Sequence, residues 1–404
     1  MDRAEIERVL KEQKISAAGM QETTQRVKIG QLLRADGLVF VRGDAEHERL
    51  LVRIVETRYG YLAGQFRFDL PKNGLSRAVE GAIAPLVGAV PKLRLDPSKR
   101  ILVSLWRFED ATGRGDPDKT MADFPLLLMD LMSANPKILI LERRQLKAVG
   151  DEATVAADGP TDLKASSLVV DTEMTLTTGV PIDPNDTPVT FTVRFRSADM
   201  KELGRVSKDG HIRALPSLRS EAAVAALAKL HEMPGVDDPE SRAQETASLL
   251  AYAKEHRALW AAEAAYALTP TNRVARDEVI QRLLDQAIRG QANSFERAYG
   301  LARAERLCHE NGLALTAQLA NLLASLGRDA GRTLPALLCD PAMLVDPRIR
   351  EMLHPVRATL RREMEKPSTP QSDLMEYALT FFDNPLDGMA YTRGLFDEVY
   401  AETN

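Results

Sequence analysis

Cysteine and aromatic residues are scarce in this sequence, and long apolar runs are absent. The chain has two cysteines among 404 residues, and aromatic residues make up 5% of it. Cys308 and Cys339 allow a single pairing, and both lie in helical or apolar stretches, which favours buried thiols over a disulfide. The longest apolar stretch, 78–90, is interrupted by Pro85 and is shorter than the roughly 20 residues that a membrane helix needs. The sequence therefore predicts no membrane-spanning segment.

Charge of one sign is not concentrated anywhere in the chain. Lys and Arg total 53, Asp and Glu total 58, and the net charge is −5, with both signs interspersed. Nucleic-acid binding requires clustered basic residues that neutralise phosphates, so we expect no nucleic-acid partner. The N-terminal residues Asp2 to Glu5 include neither a basic region nor an apolar stretch. The chain as given thus predicts no signal peptide, and by itself this indicates a cytoplasmic protein.

Sequence motifs for nucleophilic catalysis and phosphate binding are also missing. The chain contains neither Gly-x-Ser-x-Gly nor Gly-x-x-x-x-Gly-Lys-Ser/Thr. The short segment Gly113 to Asp116 predicts a turn after a strand rather than a phosphate loop. Asp183, Asn185 and Asp186 offer oxygen ligands, but they lack the distant Glu of a calcium loop and predict a turn between strands.

The histidines show no metal-binding pattern. None of them forms the His-x-x-x-His pair that places two ligands on one helix face. Cys308, His309 and Glu310 are sequence neighbours and would point in different directions on a helix. We therefore predict a non-enzymatic protein with no catalytic, cofactor or metal site. The six histidines are His47, His211, His231, His256, His309 and His354.

The apolar pattern changes near residue 213, from short apolar runs to long Ala- and Leu-rich stretches. Short runs bounded by glycine predict strands, and apolar residues at helical spacing predict helices. The predicted strands are Leu38 to Val41, Leu50 to Val55, Gly60 to Phe68, Ile101 to Leu105, Lys137 to Leu141, Leu168 to Thr177, Val189 to Arg196 and a hairpin at Met200 to Ser207. The predicted helices of the first half are Asp2 to Gln13, Thr24 to Arg34, Leu75 to Val90, Phe124 to Met132 and Gln145 to Glu152, with a linker at Pro91 to Pro97 and a loop at Phe108 to Pro117.

The second half is predicted to be entirely helical. Serine and threonine at several segment starts suit helix N-caps. The predicted helices are Ser217 to Glu232, Pro239 to His256, Leu259 to Leu268, Arg273 to Arg289, Ser294 to Asn311, Ala314 to Leu326, Arg350 to Glu365 and Asp373 to Tyr400.

Two segments of the first half repeat the same order of elements. Each runs helix, helix, strand, strand, and the second is preceded by a strand, a helix and a strand over 101–141. The first has nothing before Asp2, so we predict a duplication whose first copy is partial and whose natural start lies upstream of Met1. The matches are Asp2 to Glu12 with Glu142 to Glu152, Leu38-Val39 with Leu168-Val169, and Val52 to Ile54 with Val193 to Phe195.

These segments carry an ordered set of short motifs. Ile101 to Phe108 is a strand ending in aromatic residues, Leu139 to Arg143 is an apolar strand ending in Glu-Arg, and Leu146 to Glu152 has the pattern Leu-x-x-Val-x-x-Glu. In the first segment, Ile29 to Asp36 has the pattern Gly-x-x-Leu-x-Ala-Asp. In this order, the motifs resemble the CsgG-like family of curli-secretion and outer-membrane assembly proteins.

The resemblance implies two α/β modules, partial over 1–97 and complete over 98–212. With the all-α region that the helical pattern predicts over 213–404, the chain is expected to be an α+β protein. The resemblance also implies a periplasmic or outer-membrane-associated scaffold with a signal peptide upstream of Met1. The sequence shows neither a lipobox cysteine nor the long amphipathic hairpins of the secretion channel, so the resemblance extends to the α/β module and not to a pore. The alternative is a cytoplasmic adaptor of the same architecture.

The helical region has one segment that is similar to a tetratricopeptide hairpin. Ala258, Ala265 and Pro270 have the spacing of its second helix, and Trp260 to Asn272 looks like its end. A short tetratricopeptide-like solenoid and an irregular helical bundle both remain open. A solenoid offers a concave surface for other proteins, so we expect protein partners, envelope components among them. A partial first module also exposes a sheet edge, which favours homo-oligomers or aggregation.

Overall fold

The computed structural model describes residues 35–44, 49–57, 61–69, 83, 86–112, 124–141, 167–177, 179–180, 187–197, 199–233, 235–289, 294–326 and 347–364. Several sequence predictions lie outside these residues. They are the helices at 2–13, 24–34, 145–152 and 373–400, the segments 113–116 and 183–186, His47 and Cys339.

Within the described residues, eight strands form one mixed sheet. They are β1 (Gly37–Asp44), β2 (Arg49–Glu56), β3 (Leu62–Asp69), β4 (Ile101–Asp110), β5 (Ile138–Leu141), β6 (Ser167–Leu176), β7 (Pro188–Arg196) and β8 (Glu202–His211). Their order across the sheet is β1-β2-β3-β5-β4-β6-β7-β8. β4 pairs in parallel with β5 and β6, and the other neighbours are antiparallel. Two antiparallel meanders therefore flank a short parallel centre.

The helices accompany this sheet and then continue without strands. They are α1 (86–93), α2 (Phe124–Ser133), α3 (Leu215–His231), α4 (Pro239–His256), α5 (Leu259–Leu268), α6 (Arg273–Arg289), α7 (Ser294–Glu310), α8 (Leu315–Leu326) and α9 (Pro347–Met364). The described residues thus form a mixed α+β structure, as the sequence predicted. None of the helices in these ranges is both long enough and apolar enough to cross a membrane.

Three segments differ from the sequence prediction. Residues 202–211 form the single strand β8, where a hairpin was predicted at Met200 to Ser207, because the whole strand pairs with β7. β4 continues to Asp110, where a loop was predicted to begin at Phe108, because its ladder with β6 resumes after a bulge between Leu105 and Arg107. α1 continues through Pro91 to residue 93, where a linker was predicted. Leu93 packs over the backbone of Gly37 there, and this contact stabilises the last turn.

The chain divides into two compact units. The first comprises Met1–His211 and Leu218–Leu249, and the second comprises Ile212–Ser217 and Leu250–Asn404. Strands from both sides of residue 97 share the single sheet, so the predicted module boundary at 97 does not separate two sheets. Residues 218–249 group with the sheet, although the sequence placed them in the all-α region. The duplication itself stays a prediction.

The sheet of the first unit is covered by helices on both faces. Leu86, Ala89 and Leu93 of α1 join an apolar cluster on one face. Phe66 of β3 packs in this cluster, and the preceding residue, Gln65, bonds to Asp130 and Ser133 of α2. Because successive strand residues point to opposite faces, α2 lies on the other face. The cluster's buried members are Ile54, Tyr61, Ala63, Ala89, Leu102, Leu139 and Leu141.

The helices of the second unit pack in chain order. α5 contacts α6, α6 contacts α7 and α8, and α7 and α8 both contact α9. Small residues make the α5 contact close, since Ala261 and Ala265 are fully buried. Buried carboxylates reinforce the packing: Glu263 pairs with Arg303 at 2.5 Å, and Glu296 accepts hydrogen bonds from the backbone and hydroxyl of Ser217 at 3.2 Å.

Candidate functional site

A group of buried polar side chains lies in the first unit. It joins the end of α1, the end of α2, the start of β5, the end of α3 and α4. Its members are Lys92, Asn135, His231 and Glu245, and all four are buried. Charged side chains are seldom buried without partners, so this group is the best candidate for a specific role.

Lys92 brings a cation to the carboxyl end of a helix. Its Nζ donates to the carbonyl oxygen of Ser133 at 2.6 Å and to that of Ile138 at 3.3 Å. Ser133 is the last residue of α2, where the helix dipole favours positive charge. Burial of the side chain lowers the pKa of Lys92 to about 7, and the negative charge of Glu245 opposes part of that effect. Lys92 therefore changes its charge near neutral pH.

Glu245 is the carboxylate at the centre of the group and is completely buried in α4. Its Oε2 accepts a hydrogen bond from Asn135 Nδ2 at 2.7 Å and lies 2.9 Å from His231 Nε2. Asn135 also accepts from the backbone N–H of Lys137 at 2.9 Å, which fixes the turn between α2 and β5. One carboxylate thus connects α3 and α4 to the turn that leads into the sheet.

A second contact lies at the start of α4. Asp238 Oδ2 accepts from Ser241 N at 3.1 Å and from Ser241 Oγ at 2.5 Å, which is the geometry of a helix N-cap. Lys137 Nζ donates to the same oxygen at 2.9 Å. The Ser241 and Lys137 hydrogen bonds together hold the pKa of the Asp238 carboxyl well below its usual range. The cap therefore also joins α4 to the residue preceding β5.

This arrangement holds the helices α1 to α4 and the start of β5 together. Lys92 is 3% exposed and Glu245 is 0% exposed, so both groups are sealed from solvent. The negative charge of Glu245 favours the charged form of Lys92, so removing Glu245 would leave the ammonium group buried without a counter-charge. Among the residues that the structure describes, no group of three His, Cys, Asp or Glu side chains has a geometry that could hold a metal ion.

The residues that the sequence singled out are dispersed. Cys308 is buried in α7, as predicted. Among the five histidines that the structure describes, His231 joins the group around Glu245. His211 is half-buried at the end of β8, His256 stacks on Tyr252 at 4.3 Å between ring centroids, and His309 and His354 are exposed.

Sequence reasoning missed Lys92, Asn135 and Glu245. Lys92 lies in a segment predicted to be a linker, and Glu245 is one of several carboxylates on an amphipathic helix. One local signal was available: Asp238 followed by proline and, three residues on, by Ser241 is typical of a helix start.

No family model matches this chain, and no curated protein matches it.

Proposed function

We propose that the protein is a non-enzymatic scaffold or assembly protein of the cell envelope, related to CsgG-like assembly components, whose helical unit binds a partner protein. The proposal combines the motif resemblance of residues 1–212 with the packing of α5 to α9. The alternative is a cytoplasmic adaptor with the same architecture.

The chain-ordered packing of α5 to α9 carries the proposal. Each helix contacts the next, and α6 and α7 also contact the second helix along, α8 and α9. Helical-hairpin arrays pack in this way, and their main use is the presentation of an extended surface to peptides. Compact bundles share these helix contacts without presenting a binding surface, so the proposal is tested by whether the helical unit binds a partner protein.

The exposed side of α9 is the surface on which we place the partner. Arg350 and His354 lie one turn apart, and both side chains are exposed, as is that of Arg362. The opposite side is apolar and buried, with Ile349, Leu353 and Val356. Arg350 and Arg362 carry the positive charge of this stripe of basic side chains, which suits an acidic segment of another protein.

Affinity capture with the full-length tagged chain from an envelope fraction tests this proposal. The double variant Arg350→Glu with His354→Glu reverses the stripe without touching a buried residue. Arg205→Glu, on the exposed side of β8, is the matched control. We expect a specific protein to be recovered by the wild type and the control and lost with the double variant.

Equal recovery with all three chains would sink the assignment to α9. Fractionation of cells that express the full natural gene separates the two locations. Recovery in the cytoplasm alone would favour the adaptor over the envelope scaffold.

A further inference from the structure

β1 is an edge strand whose outer side is open in the described part of the chain. Thr57 N donates to Asp36 O at 3.1 Å, and the register pairs Gly37 with Glu56, Leu38 with Val55 and so on along the strand. Hydrogen-bonded pairs alternate in an antiparallel ladder. The even-numbered residues of β1 therefore bond to β2, and Gly37, Val39, Val41 and Gly43 direct their N–H and C=O groups outwards.

The same strand exposes apolar side chains. Val39 is 53% exposed and Val41 is 61% exposed, although their partners on β2, Ile54 and Val52, are buried. Partners in an antiparallel pair share a face, so both valines extend the apolar face of the sheet beyond α1. The opposite edge strand, β8, differs because it carries charged residues along its length. They are Glu202, Arg205, Lys208 and Asp209. Charges of this kind protect an edge from pairing.

α1 adds apolar residues beside this edge. Arg94 binds Asp36 at 3.0 Å, which places that side of the helix towards the start of β1. Val90, Val87 and Ile83 precede Arg94 at helical spacing, and all three are exposed. These exposed apolar residues thus lie on the same side of the helix as Arg94, which contacts the start of β1.

The residues of β1 whose backbone groups point away from β2 have the same order in both directions, which is Gly, Val, Val, Gly. Gly37-Leu-Val-Phe-Val-Arg-Gly43 is centred on Phe40, with valines on each side and glycines beyond them. We propose that β1 pairs antiparallel with β1 of a second copy of this chain about a two-fold axis at Phe40. Val39 then lies opposite Val41 of the second copy, and Gly37 lies opposite its Gly43.

This register uses every outward backbone group of the strand. Four hydrogen-bonded pairs supply about eight hydrogen bonds, within the range of a standard protein interface. Two-fold interfaces require self-complementary surfaces, and the outward-bonding positions Gly37, Val39, Val41 and Gly43 have that property. The four valines of the two copies also form one apolar cluster between the two α1 helices. At the ends of the register, Gly43 has no atom within 4 Å of a Cβ placed on it, whereas Leu93 covers Gly37.

Sedimentation velocity of the full chain over a range of concentrations tests the pairing. Val39→Lys with Val41→Lys places lysine opposite lysine twice, and we expect the dimer dissociation constant to rise by about a hundredfold or more. Val39→Lys with Val41→Glu places lysine opposite glutamate in the proposed register and should restore the dimer. Leu203→Lys, at an exposed position of β8, is the matched control and should leave the dimer unchanged.

Three results would overturn the proposal. If the wild-type chain stays monomeric at every concentration, β1 does not pair with a second copy, and its outer edge pairs with another segment or another protein. A dimer that is unaffected by the two lysines uses a different surface. Equal behaviour of the lysine–lysine and lysine–glutamate variants rejects the register, because lysine would face lysine in both if Val39 paired with itself. Circular dichroism confirms that each variant keeps the wild-type fold.

Discussion

Replacing Lys92 by methionine should change how stability depends on pH. Methionine keeps the length and apolar stem of the side chain but removes the ammonium group and its hydrogen bonds to Ser133 and Ile138. The pKa of Lys92 falls from its ordinary 10.5 to about 7 in the folded chain. The unfolded chain therefore holds this proton more tightly than the folded chain does.

The sign and size of the effect follow from that difference. Between pH 7 and pH 10.5 unfolding takes up a proton at Lys92, so stability rises with pH in this window. At about 1.4 kcal/mol for each tenfold change in proton affinity, the full burial cost is about 5 kcal/mol below pH 7. Lys92 titrates at different pH in the folded and unfolded chains. Integrating this difference from pH 7 to pH 9 gives an increase of about 2 kcal/mol in the free energy of unfolding.

Urea unfolding followed by far-UV circular dichroism at pH 7, 8 and 9 measures this quantity. The free energy of unfolding of the wild type minus that of Lys92→Met should grow by about 2 kcal/mol from pH 7 to pH 9. Titration of other groups cancels in the subtraction. Leu93→Met, the next residue along α1, has no titrating group, and its difference from the wild type should be constant.

A Lys92→Met difference that stays constant with pH would refute the reasoning, because a buried lysine with an ordinary pKa gives no slope in this range. A difference that shrinks as the pH rises would refute it more strongly. That result would mean that the folded chain holds the proton more tightly than the unfolded chain, as an ion pair dominated by Glu245 would do.

Three further substitutions test separate features. Met200 has φ 66° in the turn between β7 and β8, so Met200→Gly should raise the free energy of unfolding by roughly 1 kcal/mol in urea; no gain would mean that the turn is relaxed. Ala265→Leu should overpack α5 against its neighbours and cost about 1–3 kcal/mol, and an unchanged melting temperature would contradict close packing there. Asp238→Ala should destabilise the chain at pH 7 by removing the cap of α4. Because the pKa of Asp238 is lowered, that deficit should shrink as the pH falls below 3.8, and a constant deficit would count against the cap's charge.

Local patterns in the sequence predicted most of the described elements. Pro239–His256, Leu259–Leu268 and Arg273–Arg289 begin and end where their apolar periodicity predicted, because helix ends depend on neighbouring residues. The apolar run bounded by Gly37 and Gly43 likewise predicted β1.

Long-range pairing could not be predicted in this way. The neighbour of β3 is β5, and the partner of Asn135 is Glu245, 110 residues away. A local sequence pattern carries no information on contacts between such distant residues. The sequence analysis therefore did not predict that all the described strands form a single sheet. Lys92 was missed for the same reason, since burial by distant elements gives it its importance. The palindrome of β1 is visible in the sequence, but its meaning depends on knowing which backbone groups face outwards.

The strand order also has a consequence for synthesis of the chain. β3 pairs with β5 through Leu62 and Ile140, and β5 is made only after residues 70–137 have been added. At about 5–20 residues per second, the ribosome takes roughly 3–14 s to cover that distance. The exit tunnel delays every strand equally, so the meander β1–β2–β3 is outside the ribosome without β5 for the same interval. Its β3 edge is then open to pairing with another strand. Chaperone binding to stalled chains that end between residues 110 and 137 should therefore be strong, and it should fall once residue 141 has emerged from the exit tunnel.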